Sequence, residues 1–186
     1  MIEVENNLKL EPINKAFIKA LIQAINNNRE HLSPFLPWVP NMQTEIDSEN
    51  YIANCEMLSA LGKEVSFVIL LNEELVGRIG LHHLDQANRK ASIGYWLTKN
   101  AEGKGIILKS CKKLISYGFE ELQLQRIEIT AAVENSRSQA IPEKLRFKKE
   151  GTLRSAELIN NQFHDLVIFS ILKDEWNERV TTAMPL

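Results

Sequence analysis

The chain has 186 residues, of which 44% are apolar and 25% charged, with a net charge of −2. That suffices for one domain with a real hydrophobic core in an ordinary soluble balance, and without a basic block it argues against a direct nucleic-acid partner. No apolar run approaches the roughly 18 residues that a membrane span needs. Met1-Ile2-Glu3-Val4-Glu5-Asn6-Asn7 lacks a cationic start followed by an apolar run, so no signal peptide is expected. Cys55 and Cys111 fall on helix-like segments and read as small core residues, which fits a reducing cytoplasm rather than a disulfide framework.

In chain order, Leu8 and Leu10 alternate with polar neighbours in a short first strand that ends near Glu11. From Ile13, the set Phe17, Ala20, Leu21, Ala24 and Ile25 marks a first helix, frayed by Asn26-Asn27-Asn28. The stretch from His31 to Pro40 holds three prolines and two aromatics, so an ordered loop is expected. It reads as a hydrophobic lid over the core, with Trp38 as one wall of a substrate cleft. Thr44-Glu45-Ile46-Asp47 resembles a capping box that opens a helix through Tyr51, Cys55 and Leu58, stopped by Gly62.

Residues 65–71 and 75–84 read as two antiparallel strands, and Asp85-Gln86-Ala87-Asn88 turns the chain into a third over 90–97. Ile107, Cys111, Leu114, Ile115, Gly118 and Leu122 then recur at helical spacing. Residues 126–133 alternate as a strand, Asn135 resembles an N-cap for a helix over 136–145, and 147–153 with 163–172 make a closing pair. A helical turn and a disordered tail are expected after Trp176. The order β-α-α-β-β-β-α-β-α-β-β predicts an α/β fold with a mixed sheet in a single domain, 1–180, with a tail at 181–186.

Between the strand over 90–97 and the helix from 107 stands Asn100-Ala101-Glu102-Gly103-Lys104-Gly105-Ile106. Glycines permit a tight turn and close approach to a ligand, and the first turn of a helix offers unpaired N–H groups and the positive end of the dipole. The junction therefore suits a pyrophosphate, although Gly103 and Gly105 also fit a plain strand–helix turn. A P-loop is excluded because Lys104 is followed by Gly105, and a dinucleotide fingerprint because Leu108 stands where a small residue is needed. His82 and His83 are strand neighbours facing opposite sides, and with His31 and His164 distant in sequence no metal-ligand spacing exists.

Four local sequences follow one another at suitable distances: Ile93-Gly94-Tyr95-Trp96-Leu97, Glu102-Gly103-Lys104-Gly105-Ile106, Asn135-Ser136-Arg137-Ser138, and Glu143 to Gly151. With Leu8-Lys9-Leu10-Glu11-Pro12 at the start and His164-Asp165 plus Glu175-Trp176 at the end, the chain resembles the GNAT N-acetyltransferases over nearly its whole length. The subgroup it resembles acetylates the N-termini of ribosomal proteins (the RimJ/RimL type). This implies a mostly antiparallel sheet, flanked by helices and splayed between the strand over 90–97, its fourth, and that over 126–133, its fifth.

The resemblance implies that acetyl-CoA lies in that gap as cosubstrate. Leu97 and Thr98 would meet the pantetheine arm, and the N–H groups from Gly103 through Lys104, Gly105 and Ile106 to Leu108 would hold the pyrophosphate. Asn135 matches a pantetheine-binding asparagine and equally suits a helix N-cap. Ser138 matches a serine near the thioester sulfur, a proton donor to the departing thiolate. Pro142 lacks the N–H that would pair with the Ser138 carbonyl, which predicts a distortion there. Two positions depart from the family's pattern: Ser92 replaces a glutamate base acting through water, and Arg146 replaces a glycine before Phe147. Ser92 is no base at neutral pH unaided, which leaves Asp165 or His164 as substitutes, or no dedicated base.

The expected activity is direct transfer of acetyl from acetyl-CoA to an amine, foremost the N-terminal α-amine of a ribosomal protein. Deprotonating an α-amine at neutral pH costs roughly 3 kcal/mol less than deprotonating lysine, which suits a site with a weak base. An acidic cleft would favour a small amine or polyamine instead, and Ser92 motivates a third reading, a non-catalytic acyl-CoA-binding module. His164 is placed with Trp38 in the acceptor cleft. Strand-to-strand homodimers are common in such folds, and no residue here selects one.

Overall fold

The computed structural model describes residues 1–182. One eight-stranded sheet runs through it in the order β1-β2-β3-β4-β5-β6-β8-β7. The strands are β1 (Ile2–Glu5), β2 (Leu8–Pro12), β3 (Val65–Leu71), β4 (Glu74–Asp85), β5 (Lys90–Leu97), β6 (Arg126–Ala132), β7 (Lys148–Ile159) and β8 (Gln162–Leu172). The helices are α1 (Ile18–Asn26), α2 (Arg29–Leu32), α3 (Glu45–Ala60), α4 (Ile106–Glu120), α5 (Ser136–Lys144) and α6 (Lys173–Thr182). The expected mixed, mostly antiparallel sheet is present, and the strands called fourth and fifth from the sequence are β5 and β6.

All neighbours are antiparallel except β5 and β6, whose parallel pairing covers only Lys90–Arg126, Ala91–Ile127 and Ser92–Glu128. Beyond Ser92 the two strands part. The other edge of β5 stays paired to β4 as far as Leu97, so from Ile93 onward alternate backbone groups of β5 face an open gap. This is the expected splay.

The two faces of the sheet are covered unequally. Buried residues of α4, among them Cys111, Leu114, Ile115 and Phe119, pack on Leu81, Ile93, Ile127, Phe169 and Ile171, joined by Leu145 after α5 and Trp176 of α6. On the opposite face, Leu21, Ile25, Ile52 and Cys55 of α1 and α3 pack on Val68, Leu70 and Trp96. That second layer stops at β5. Strand β3 is accordingly apolar but for Ser66 and buried on both faces, whereas β6 alternates Ile127 and Ile129 with Glu128 and the exposed Thr130.

Five sequence expectations change, the first being that the strand expected over 147–153 runs on to Ile159 as β7. Ile2-Glu3-Val4-Glu5 pairs with β2 as a first strand, and its period-2 alternation before Asn6-Asn7 was the signal for it. The loop from His31 begins inside a short helix, α2, whose Arg29 donates through Nη1 to the Val39 carbonyl at 2.8 Å. Asn28 does more than fray α1: its amide donates to the Ala24 carbonyl and its Oδ1 accepts from Lys99 N at 2.9 Å. The helical turn after Trp176 is α6, which takes in the first two residues of the expected tail; residues 183–186 lie outside the described residues.

The capping box at Thr44 is formed, with Thr44 Oγ1 accepting from Asp47 N and Asp47 Oδ2 accepting from Thr44 N. Helix α3 closes on a left-handed Gly62 (φ +65°), with Gly62 N bonded to Ser59 O and Lys63 N to Leu58 O. Helix α5 closes identically, with Arg146 N bonded to Glu143 O and Phe147 N to Pro142 O, but there the left-handed residue is Arg146 (φ +56°). The strain expected at that position is therefore present. Replacing it, Arg146→Gly, should raise stability by about 1 kcal/mol in a urea melt, because relief of the left-handed penalty outweighs the added freedom of the unfolded chain.

Under α3 lies a polar cluster. Arg78 donates through Nη2 to Glu64 Oε1 at 2.6 Å and to Ser66 Oγ, and its guanidinium stands 5.3 Å from the centroid of the Tyr51 ring. Glu64 Oε2 lies 2.9 Å from His82 Nδ1. Burial raises the Glu64 carboxyl, but hydrogen bonds from His82 and Ser66 and the charges of His82 and Arg78 outweigh it and hold it at about 2. Its folded pKa lies below the unfolded value of about 4.3, so the stabilisation is present above that pH and is lost as pH falls toward 2. Urea midpoints should drop across that window, and Glu64→Gln should flatten the drop. Glu64→Ala, which strands a buried guanidinium, should cost about 3–5 kcal/mol.

Candidate active site

The loop between β5 and α4 is pinned before it reaches the glycines. Thr98 N donates to Val76 O at 2.8 Å, Lys99 N donates to Asn28 Oδ1, and residues Lys99–Ala101 form one 3-10 turn. Glu102 Oε1 then sits 3.2 Å from His31 Nε2 and Glu102 Oε2 2.5 Å from Arg137 Nη1. These partners tie the loop to α2 on one side and to α5 on the other, and they engage the one carboxylate of the Thr98–Gly105 loop.

Gly103 and Gly105 both adopt positive φ, +75° and +73°. A Cβ on Gly103 would meet no atom within 4 Å, and one on Gly105 only the Lys109 side chain at 3.8 Å. Backbone conformation, not packing, calls for glycine here, and the space before them is open. Gly105 caps α4 with no side-chain hydrogen bond and no acidic residue follows in the first turn. The chain of α4 bonds begins with Lys109 N to Gly105 O, so the N–H groups of Ile106, Ile107 and Leu108 precede it. A cradle of this kind fits a phosphate or pyrophosphate. Lys104 is exposed beside it, Leu97 is buried and Thr98 half-buried at the end of β5.

On the α4 side of the gap stands α5. Asn135 Oδ1 accepts from Ser138 N at 3.1 Å, so the N-cap role is realised. The Ser138 carbonyl, left without an N–H partner by Pro142, accepts instead from the Tyr95 hydroxyl at 2.9 Å. Tyr95 thus spans the opening between β5 and α5, and burial pushes its phenol pKa well up, keeping it a donor. It is a site residue that sequence reasoning missed, although Pro142 announced the need for a partner.

On the opposite side, register places three side chains on one face at the neck of the gap. Ser92 lies between His82 of β4 and Glu128 of β6. The His82 ring leans across β5: a Cβ on Gly94 would lie 3.1 Å from His82 Cδ2. Both His82 nitrogens are engaged, Nδ1 with Glu64 and Nε2 with Arg78 Nη1 at 3.2 Å. Glu128 Oε1 accepts from Arg126 Nε at 2.6 Å, while Arg126 Nη1 and Nη2 reach Glu150 at 2.8 and 2.5 Å. Hydrogen bonds from Arg126 and then Ser170 hold the Glu150 carboxyl at about 2.

The structure does not bring Asp165 or His164 to Ser92. Along β8, Ser170 is in register with Glu128, and His164 lies six residues further on, about 20 Å away at strand rise. Asp165 Oδ1 accepts from Ser155 N at 2.8 Å beside the irregularity in β7 between Leu153 and Glu157. His164 Nδ1 lies 3.4 Å from Glu134 Oε2 and opposite Glu157, whose carboxyl burial pushes up. Trp38 packs on Trp96, with ring centroids 6.2 Å apart, and so closes the apolar layer at the end of β5.

A family model, "Acetyltransferase (GNAT) domain", matches residues 7–148. The chain belongs to the GNAT acetyltransferases. It is 39% identical over 175 residues to YdaF of Bacillus subtilis, named provisionally for ribosomal N-acetylation, covering 94% of this chain and 96% of that protein. It is 30% identical over 173 residues to the ribosomal-protein-serine acetyltransferase of Escherichia coli, covering 93% and 97%. The solved structure of RimL, a ribosomal L7/L12 α-N-protein acetyltransferase in complex with coenzyme A, superposes with a TM-score of 0.90 at 25% identity, over 94% of this chain and 98% of that one.

The Tyr95 bond can be tested separately from any ligand. Tyr95→Phe should cost about 1–3 kcal/mol by leaving the Ser138 carbonyl unpaired. In a Pro142→Ala background, where an N–H returns to that carbonyl, the same change should cost clearly less. Thermal melts of the four proteins in this cycle measure the difference.

Proposed function

We propose that this acetyltransferase uses acetyl-CoA and transfers acetyl directly to the N-terminal α-amine of a protein, with ribosomal proteins the foremost acceptors. The observation that carries the reading is the joint position of the Gly103–Leu108 cradle and the unpaired edge of β5, two ends of one extended site. When bound, acetyl-CoA supplies the activated acetyl group. Its pyrophosphate suits the cradle of Gly103, Lys104, Gly105 and Ile106, and its amide-bearing arm suits the free edge of β5 down to Leu97 and Thr98, in the manner of an added strand. Asn135, whose side chain caps α5 across the gap, would border that arm.

The two sides of the gap divide the chemistry. A β5 N–H facing the gap is a donor for the thioester carbonyl oxygen. Ser138, in the first turn of α5, offers a hydroxyl to the departing thiolate. The amine approaches from the other face, past Ser92 and the half-open surface of β6 and β8. Protein acceptors are supported by the names of the two relatives and of the RimL structure. A small-amine acceptor is the second reading, favoured by the carboxylates Glu128, Glu134 and Glu157 along that surface.

Calorimetric titration with acetyl-CoA tests the cofactor assignment. Micromolar binding by the wild type, lost in Gly103→Val/Gly105→Val, is the expected result; no binding by the wild type overturns it. Coenzyme A release with serine- and alanine-initiated peptides against spermidine then separates the two acceptor classes.

A further inference from the structure

Helix α3 is apolar on two opposite faces, and the fold buries only one of them. Inward, Ser48 donates to the Ile18 carbonyl of α1, and Ile52 and Cys55 pack in the layer over β3. At about 100° of turn per residue, Ile46, Ala53, Met57, Ala60 and the C-cap residue Leu61 share a sector about 100° wide on the outward side. Ile46, Met57 and Leu61 are 68%, 53% and 63% exposed, and Ala53 and Ala60 are exposed with them. None of the five belongs to either packed layer of the sheet. The stripe they form is about 22 Å long.

Charge is segregated along its edges. Glu45, Glu49 and Glu56 line one edge, and Asn50 and Asn54 the other, all exposed. Among the described residues these three glutamates make no ion pair, whereas Asp47 is committed to the capping box. No lysine or arginine lies in α3.

We propose that this outward face of α3 binds an amphipathic helix of a partner protein that carries lysine or arginine along one edge. Burial of Ile46, Met57 and Leu61 against the partner's apolar stripe supplies the affinity, and the row of glutamates fixes its orientation and rejects acidic helices. A second copy of α3 is a poor occupant, because it brings Glu45, Asp47, Glu49 and Glu56 and no cation to neutralise them. An anionic lipid surface is repelled for the same reason. The surface is separate from the gap between β5 and β6, so its occupation is independent of the acetyl-transfer reading.

The probe is a synthetic helix of about five turns with leucines on one stripe and lysines along one edge, beside a counterpart with glutamates for lysines. Amide NMR shifts of the full chain titrated with the lysine peptide should saturate in the micromolar range and map to residues 45–61. Met57→Ser/Leu61→Ser, both at exposed positions, should melt as the wild type does and weaken binding by about tenfold or more. Glu49→Lys/Glu56→Lys should exchange the preference, losing the lysine peptide and gaining the glutamate one. No saturable shift on α3 overturns the proposal. So does equal binding by Met57→Ser/Leu61→Ser, which marks charge attraction alone. A sedimenting dimer that this pair of changes dissolves assigns the face to a second copy, and flotation with phosphatidylglycerol vesicles assigns it to a membrane; either result overturns the helix partner.

Discussion

Everything at the site follows from the parallel pairing of β5 and β6 ending after Ser92 and Glu128. Backbone N–H and C=O groups in a sheet must be paired with something, and a strand edge that faces a gap is a template for an incoming chain. Tyr95 spans the opening and bonds to the Ser138 carbonyl. Pro142 makes that bond necessary, since a regular α5 would pair the carbonyl internally. One proline on a helix and one tyrosine on a strand thus link the two walls of the gap.

Unequal helix coverage decides which side of the gap does what. The layer of α4, α5 and α6 covers its whole face, while α1 to α3 stop at β5 and leave one face of β6, β8 and β7 uncovered. The phosphate cradle and Ser138 therefore lie on the closed side, and Ser92, Glu128 and the acidic surface toward His164 on the open one. Charge is distributed in keeping with this. Glu102, next to the cradle, is tied up by His31 and Arg137, so the positive end of α4 faces no free carboxylate in its own loop. Under the proposed function, a cofactor carrying phosphates and a cationic acceptor would be drawn to different sides.

The departures of this chain from its family's pattern are of two physical kinds. Arg146 stores strain at a helix end that Gly62 shows can be closed without it, and nothing at the site depends on the arginine. Ser92 removes a carboxylate from β5 while β6 carries one at the adjoining register position. The first is local conformational cost. The second leaves the neck of the gap with a carboxylate on β6 and none on β5.

Much of this was legible in the sequence because it depends on local rules. Strand and helix periods, the Thr44–Asp47 capping box, the positive φ at Gly103 and Gly105, the Asn135 cap and the orphaned Ser138 carbonyl all follow from residues within a few positions of one another. The tertiary structure decided what those groups meet. That Tyr95 answers Pro142 across 43 residues, that Asn28 holds Lys99, and that Glu102 bridges α2 and α5 are consequences of packing between distant segments. The same holds for the neighbours of Ser92. Strand register sets Glu128 beside it and carries His164 about 20 Å along β8 from that level. Register is a relation between strands, set by what both must bury, and no window of sequence contains it.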